Sequence, residues 1–200
     1  GPASFTYTVS DGNGGFSTAT VSLDIVAAIH NLEVGSLSVS VSEEGLIGGL
    51  KDVVGSPDTT DSSSTEGDLS ITNATGSLTI TLSQPTEALT SAGVAVTWQG
   101  SGTQQLTATA GGNAVATVTV NNAGHYVFNL LSSVDHNGVN IEDIKAINFG
   151  VNVTDGSSSA SGVLTVNIED DAPIAVDKAD SFAMIDTNLL ITLDTSNSMN

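Results

Sequence analysis

The sequence contains no cysteine, only three basic residues and few aromatics. Without cysteine there can be no disulfide, no thiolate zinc site and no cysteine nucleophile. Three Lys+Arg stand against 22 Asp+Glu, a net charge of −19. A nucleic-acid surface needs clustered Lys and Arg to neutralise phosphates, so that class is excluded. The same imbalance opposes attraction to an anionic membrane. No apolar run is long enough to cross a bilayer as a helix, so membrane insertion is not expected. The first residues do not read as a secretory leader, so export would be directed from elsewhere in a longer chain. No Gly-x-Ser-x-Gly elbow is present. The three histidines, His30, His125 and His136, read as turn or structural residues. Asp135 beside His136 can orient an imidazole, but no catalytic residue is expected.

What is there is carboxylate and β-structure. Uncompensated carboxylates repel one another. A divalent cation relieves that repulsion, and Ca²⁺ takes hard oxygen ligands of this kind. Alternating apolar residues recur in short runs separated by Gly, Asn and Asp. In "SFTYTVSDGNGGFSTATVSLDIV" (4–26) alternation breaks at Asp11-Gly12-Asn13-Gly14-Gly15 and resumes, which reads as a hairpin. Further hairpins are expected around Asn121–Gly124 and at Asp155-Gly156. Residues 46–68 read as loop. Residues 134–147 read as a long excursion with one short helical turn. Thr and Val enrichment with Gly-rich turns predicts an all-β fold, an antiparallel β-sandwich of immunoglobulin- or cadherin-like type. Its expected core is Leu37, Val39, Leu69, Ile71, Leu78, Ile80, Val96, Trp98, Leu106, Val118, Tyr126, Phe128, Leu130, Phe149, Val151, Leu164 and Val166.

Composition divides the chain at "EDDAPIAVDKADSF" (169–182), where Pro173 interrupts the strand pattern and acidic residues gather. The expected organisation is four-part. Residues 1–27 are the closing hairpin of a preceding β-repeat. Residues 28–171 are the main sandwich, 172–187 a linker, and 188–200 the start of a further domain. An open alternative has the two flanking segments packing together as a split domain.

Several segments carry a resemblance. "TYTVSDGNGGFSTATVSLDIV" resembles the closing hairpin of cadherin-like and VCBS-type repeats. "VSEEGLIGGLKDVVGSPDTTDSSSTEGDLSIT", "AGHYVFNLLSSVDHNGVN" and "FGVNVTDGSSSASGVLTVNIEDDAPIA" together resemble a module of type I-secreted RTX (repeats-in-toxin) bacterial adhesins, over roughly 32–175. The pattern departs at "TDGSSSAS" (154–161), where relatives often carry further acidic residues. The tail "NLLITLDTSNSMN" resembles the first strand and first metal loop of a von Willebrand factor type A domain. There Asp194, Ser196 and Ser198 would contribute to a Mg²⁺ site that needs further loops to be complete.

The resemblance implies an extracellular, calcium-stiffened extender on the bacterial surface, serving cell adhesion and biofilm formation. Its expected partners are adjacent modules of the same chain, and the module itself is expected to be monomeric. The expected calcium ligands are Glu43, Glu44, Asp58, Asp61, Asp135, Asp155, Glu169, Asp170 and Asp171. Glu43-Glu44 lie near the module's start in sequence and Glu169–Asp171 at its far end, with Asp177 and Asp180 beyond the boundary. The alternative is a module that binds a host or biofilm carbohydrate or peptide, with Trp98, the sole tryptophan, as the platform.

Overall fold

A computed structural model describes residues 2–24, 30–50, 59–138 and 143–171. Expectations for 172–187, for the tail with Asp194, Ser196 and Ser198, and for Asp58, Asp177 and Asp180 lie outside these residues. The described chain is all-β. Its one helical feature is a 3-10 turn, Glu43–Gly45.

Strands β1 (Pro2–Ser10) and β2 (Phe16–Asp24) form the expected hairpin in a continuous antiparallel register. Asp11 Oδ1 closes its turn by accepting from the backbone N–H of Asn13 and of Gly15, each at 2.8 Å. The remaining strands are β3 (Glu33–Val34), β4 (Leu37–Ser42), β5 (Ser64–Asp68), β6 (Ile71–Thr72), β7 (Thr79–Ser83), β8 (Thr90–Ser91), β9 (Val94–Gln99), β10 (Gln105–Ala110), β11 (Asn113–Val120), β12 (His125–Leu130), β13 (Ile144–Thr154) and β14 (Ser159–Glu169). They build a β-sandwich. One sheet has the order β5-β12-β11-β10-β9-β8 and the other β4-β14-β13-β7. β3 and β6 pair separately.

Period-two alternation explains the layers, because every second side chain of a strand faces the opposite sheet. Leu164, Val166 and Ile168 point inward from β14, and Ile147, Phe149, Val151 and Val153 from β13. Leu106, Ala108 and Ala110 meet them from β10, with Tyr126, Phe128 and Leu130 from β12. Phe149 touches two rings of the facing sheet. Trp98 packs edge-on at 5.1 Å between centroids and Phe128 is tilted at 6.0 Å. Register slips once, between Ala108 and Thr109, where β11 carries an extra residue. That bulge lets consecutive Val115 and Ala116 both be buried.

Eleven of the seventeen expected core residues are buried, and the other six are partly buried and pack against them. Two local expectations are corrected. The stretch read as loop contains β5, "STEGD", which pairs antiparallel with β12 as an edge strand. It has no apolar side chain to announce it, because its pairing rests on backbone hydrogen bonds. Gly67 stands where a side chain would meet the Tyr126 ring, with an added Cβ only 2.9 Å from its hydroxyl. The second correction concerns 134–147. The described part holds no helical turn, and Ile144–Ile147, read as part of the excursion, already belong to β13.

β8 and β9 are joined by the two-residue turn Ala92-Gly93, with φ of 51° and 74°. Two positive φ values mark the type I′ hairpin turn, which matches strand twist but strains a residue with a Cβ. Ala92→Gly removes about 1–2 kcal/mol of that strain and adds about 0.5–1 kcal/mol of unfolded-chain entropy. A net gain of roughly 0.5–1 kcal/mol is expected in a urea unfolding curve.

Candidate metal centre

The topology decides where the acidic residues go. β14 runs parallel to β4, with Leu164 opposite Leu37 and Glu169 opposite Ser42. The two strands therefore finish at the same pole of the sandwich. Glu43-Glu44, next after β4, and Glu169-Asp170-Asp171, at the end of β14, are brought together there, although about 125 residues of chain separate them. The opposite pole holds the β13–β14 turn at Asp155, and His30 is bonded to it.

Local chemistry builds the acidic pole. Ser42 caps the 3-10 turn, its hydroxyl accepting from Glu44 N at 3.1 Å. The turn's first residues are Glu43 and Glu44, where a helix N-terminus favours negative charge. Both are buried. Gly45 and Gly49 let neighbouring backbone fold onto this turn. A Cβ on Gly45 would lie 2.2 Å from Ser63 N, and one on Gly49 2.4 Å from Glu43 O.

Three groups converge: Glu43 from the end of β4, His136 from the β12–β13 connection and Asp170 from the end of β14. One ligand atom from each lies within 4.8 Å of the other two. Glu43 Oε1 accepts from Val134 N at 2.7 Å and stands 3.4 Å from His136 Nε2. That contact misses hydrogen-bond geometry, so Nε2 is buried without a hydrogen-bond partner. The imidazole side chain is only 3% exposed. Its other nitrogen, Nδ1, meets Asp143 Oδ1, while Asp143 Oδ2 accepts from Gly138 N at 2.8 Å.

The charges respond to one another. Burial pushes the His136 imidazole down, but Glu43, Asp143 and Asp170 outweigh burial and hold it above the usual range. For Asp143, burial works upward and is overcome by the Gly138 amide and His136, so its carboxyl sits below the usual range. Burial raises Asp170, with help from the nearby carboxylates of Asp143 and Asp171, against the pull of His136.

The other expected ligands have different surroundings. Glu169 is 1% exposed and accepts from Thr59 N, Thr59 Oγ1 and Thr60 N. Asp171 Oδ2 accepts from Leu50 N at 3.1 Å. Asp61 lies on the segment that crosses Gly45. Asp135 turns away from its neighbour His136; its Oδ2 accepts from Gly93 N at 2.9 Å and so braces the strained β8–β9 turn. The imidazole is thus oriented by Asp143 and not by the adjacent Asp135.

At the opposite pole Asp155 is saturated. Oδ1 accepts from Ser157 N, Ser157 Oγ and Ser158 N; Oδ2 accepts from Thr75 N and Thr75 Oγ1 and pairs with His30 Nε2 at 2.6 Å. The backbone amides of Thr75, Ser158 and Ser157 drive its pKa far below the usual carboxylate range. Thr75 and Ser157 hydroxyls also lie 3.3 and 3.4 Å from His30 Nε2. A Ser-His-Asp relay needs the acid and the hydroxyl on different ring nitrogens, and here they share one. The arrangement is a turn lock. Trp98 lies half-buried against Phe149, its indole N–H inside without a partner.

No family model, no curated protein and no solved structure matches this chain.

Proposed function

We propose that this chain carries an extracellular, calcium-binding extender module of a large RTX-type bacterial adhesin. One observation carries the reading. The described sandwich runs from His30, bonded to Asp155 at one pole, to Asp171 at the opposite pole, where the acidic residues gather. The eleven residues of β14 alone separate these poles by about 35 Å. Modules traversed from pole to pole extend end over end along a chain. The strong negative charge and the absence of disulfides fit a protein stiffened by ions.

In this reading Ca²⁺ is held by the pole's carboxylates, Glu44 and Asp171 among them, with backbone carbonyls of the surrounding loops. The ion supplies hard positive charge that cancels carboxylate repulsion. It binds the folded module and not the unfolded chain, so it stabilises by mass action. Adhesion and biofilm support would follow from holding a binding domain away from the cell surface. A sugar platform at Trp98 finds no such support, since the indole ring packs on Phe149.

Thermal unfolding in EGTA, in millimolar Ca²⁺ and in Mg²⁺ tests the reading. With free Ca²⁺ at about 100 times Kd, the stabilisation is about 2.7 kcal/mol, several degrees in midpoint for a module of this size. Identical midpoints in EGTA and Ca²⁺ would remove calcium from the mechanism.

A further inference from the structure

The calcium reading treats the acidic pole as a set of oxygens. His136 does not belong to such a set, because Ca²⁺ is a poor partner for imidazole. Its Nε2 is buried, lacks a hydrogen bond and stands beside Glu43, and Asp170 belongs to the same cluster. A charge-assisted N–H···O bond to Glu43 would close to about 2.7–2.9 Å. The separation is 3.4 Å. Two ligands on a tetrahedral ion with bonds of about 2.0–2.1 Å stand about 3.3–3.4 Å apart. The spacing is that of two groups sharing an ion.

The surroundings complete the pattern. Asp143 engages Nδ1, which leaves Nε2 on the side of Glu43. A carboxylate on the far nitrogen of a metal-binding histidine fixes its tautomer and raises its basicity. Gly138 N in turn holds Asp143, and Val134 N holds Glu43. An open groove of about 520 Å³, lined by Glu43, Leu131 and Asp171 among others, reaches the cluster on its Glu43 side; His136 and Asp170 do not line it.

We propose that Glu43, His136 and Asp170 form a site for a borderline divalent cation of the zinc type, with Asp143 as its positioning residue. Water takes the remaining coordination position. The ion clips together the end of β4, the β12–β13 connection and the end of β14. It thereby fastens the pole that holds Asp171, with a donor set distinct from that of calcium.

The test is calorimetric titration of the chelator-stripped 200-residue chain with ZnCl₂, in the presence and absence of excess CaCl₂. One Zn²⁺ per chain is expected, and excess Ca²⁺ should leave its affinity within a few-fold. His136→Gln should weaken binding at least tenfold, and Asp143→Asn by about 10–100-fold. His125→Gln should bind like the unaltered chain; His125 lies beside Asp68 and Glu66 at the surface and is the competing site. Absence of stoichiometric Zn²⁺ binding by the unaltered chain overturns the proposal. So does binding that survives both His136→Gln and Asp143→Asn, or that is lost with His125→Gln. Circular dichroism identifies a variant that fails to fold, in which case the other variant and the unaltered chain decide. The Ca²⁺ melting shift scores the extender reading separately, so either idea can fall alone.

Discussion

Phe149→Ala is expected to destabilise the sandwich by about 3–5 kcal/mol. The Phe149 side chain is fully buried at the centre of the smaller sheet and meets Trp98 and Phe128 from the other. Truncation removes the apolar contact and leaves a cavity that two rigid sheets cannot close, since strand pairing fixes their backbones on either side. An edge-to-face pair of aromatic rings adds about 0.5–1.5 kcal/mol beyond area burial, and that is lost too. A domain of this size holds only about 5–15 kcal/mol in total, so the variant should unfold at markedly lower urea. Trp98 supplies the readout, because it is the sole tryptophan. Its emission should shift to the red in the folded variant as its ring gains freedom and water. A loss below about 1 kcal/mol with unchanged emission would mean that Trp98 does not pack on this core.

That core was legible in the sequence because alternation is a local signal. Leu106, Phe128, Phe149 and Leu164 each lie in a run whose period is two, and each is buried. β5 was not legible. An edge strand can be all polar, and "STEGD" is specified by what β12 offers it: backbone partners and a Tyr126 ring that needs Gly67 beneath it. Ile144–Ile147 were hidden for a different reason. A strand of eleven residues began inside a segment whose Asn, Gly and Asp content read as loop.

The acidic pole was half legible. Glu43, Glu44 and Glu169–Asp171 were recognisable as clustered carboxylates, but their sequence positions suggested two ends of the module. Parallel pairing of β4 with β14 overrides that inference, and no local pattern announces it. His136 shows the same limit more sharply. Its partners Glu43, Asp143 and Asp170 come from three separate stretches of chain, while Asp135, its neighbour in sequence, serves the Ala92-Gly93 turn. Asp155 illustrates a further point. An acidic residue in a Gly/Ser turn has the same sequence signature whether it faces an ion or its own backbone. Only the six donors arranged around it separate the two cases.

Asp155→Asn therefore distinguishes a turn lock from a calcium ligand. The amide retains one acceptor oxygen and puts an NH₂ group where Thr75, Ser157, Ser158 or His30 now donates to the carboxylate, so donor meets donor in a buried turn. A fall in thermal midpoint of roughly 10 °C is expected, of equal size in EGTA and in Ca²⁺. A calcium ligand would behave otherwise: its loss would show in Ca²⁺ and vanish in EGTA. The pH dependence gives a second, independent sign. The folded-state pKa of Asp155 is depressed by the three backbone amides, whereas in the unfolded chain it titrates near the usual value of about 3.9. A depressed pKa contributes stability that is present above about pH 4 and is lost as pH falls below it toward the folded value. The unaltered chain should therefore lose stability more steeply than Asp155→Asn as pH drops from about 4 to 2, and the two curves should converge. Parallel curves through that window would mean that the carboxylate's charge is not what these donors hold.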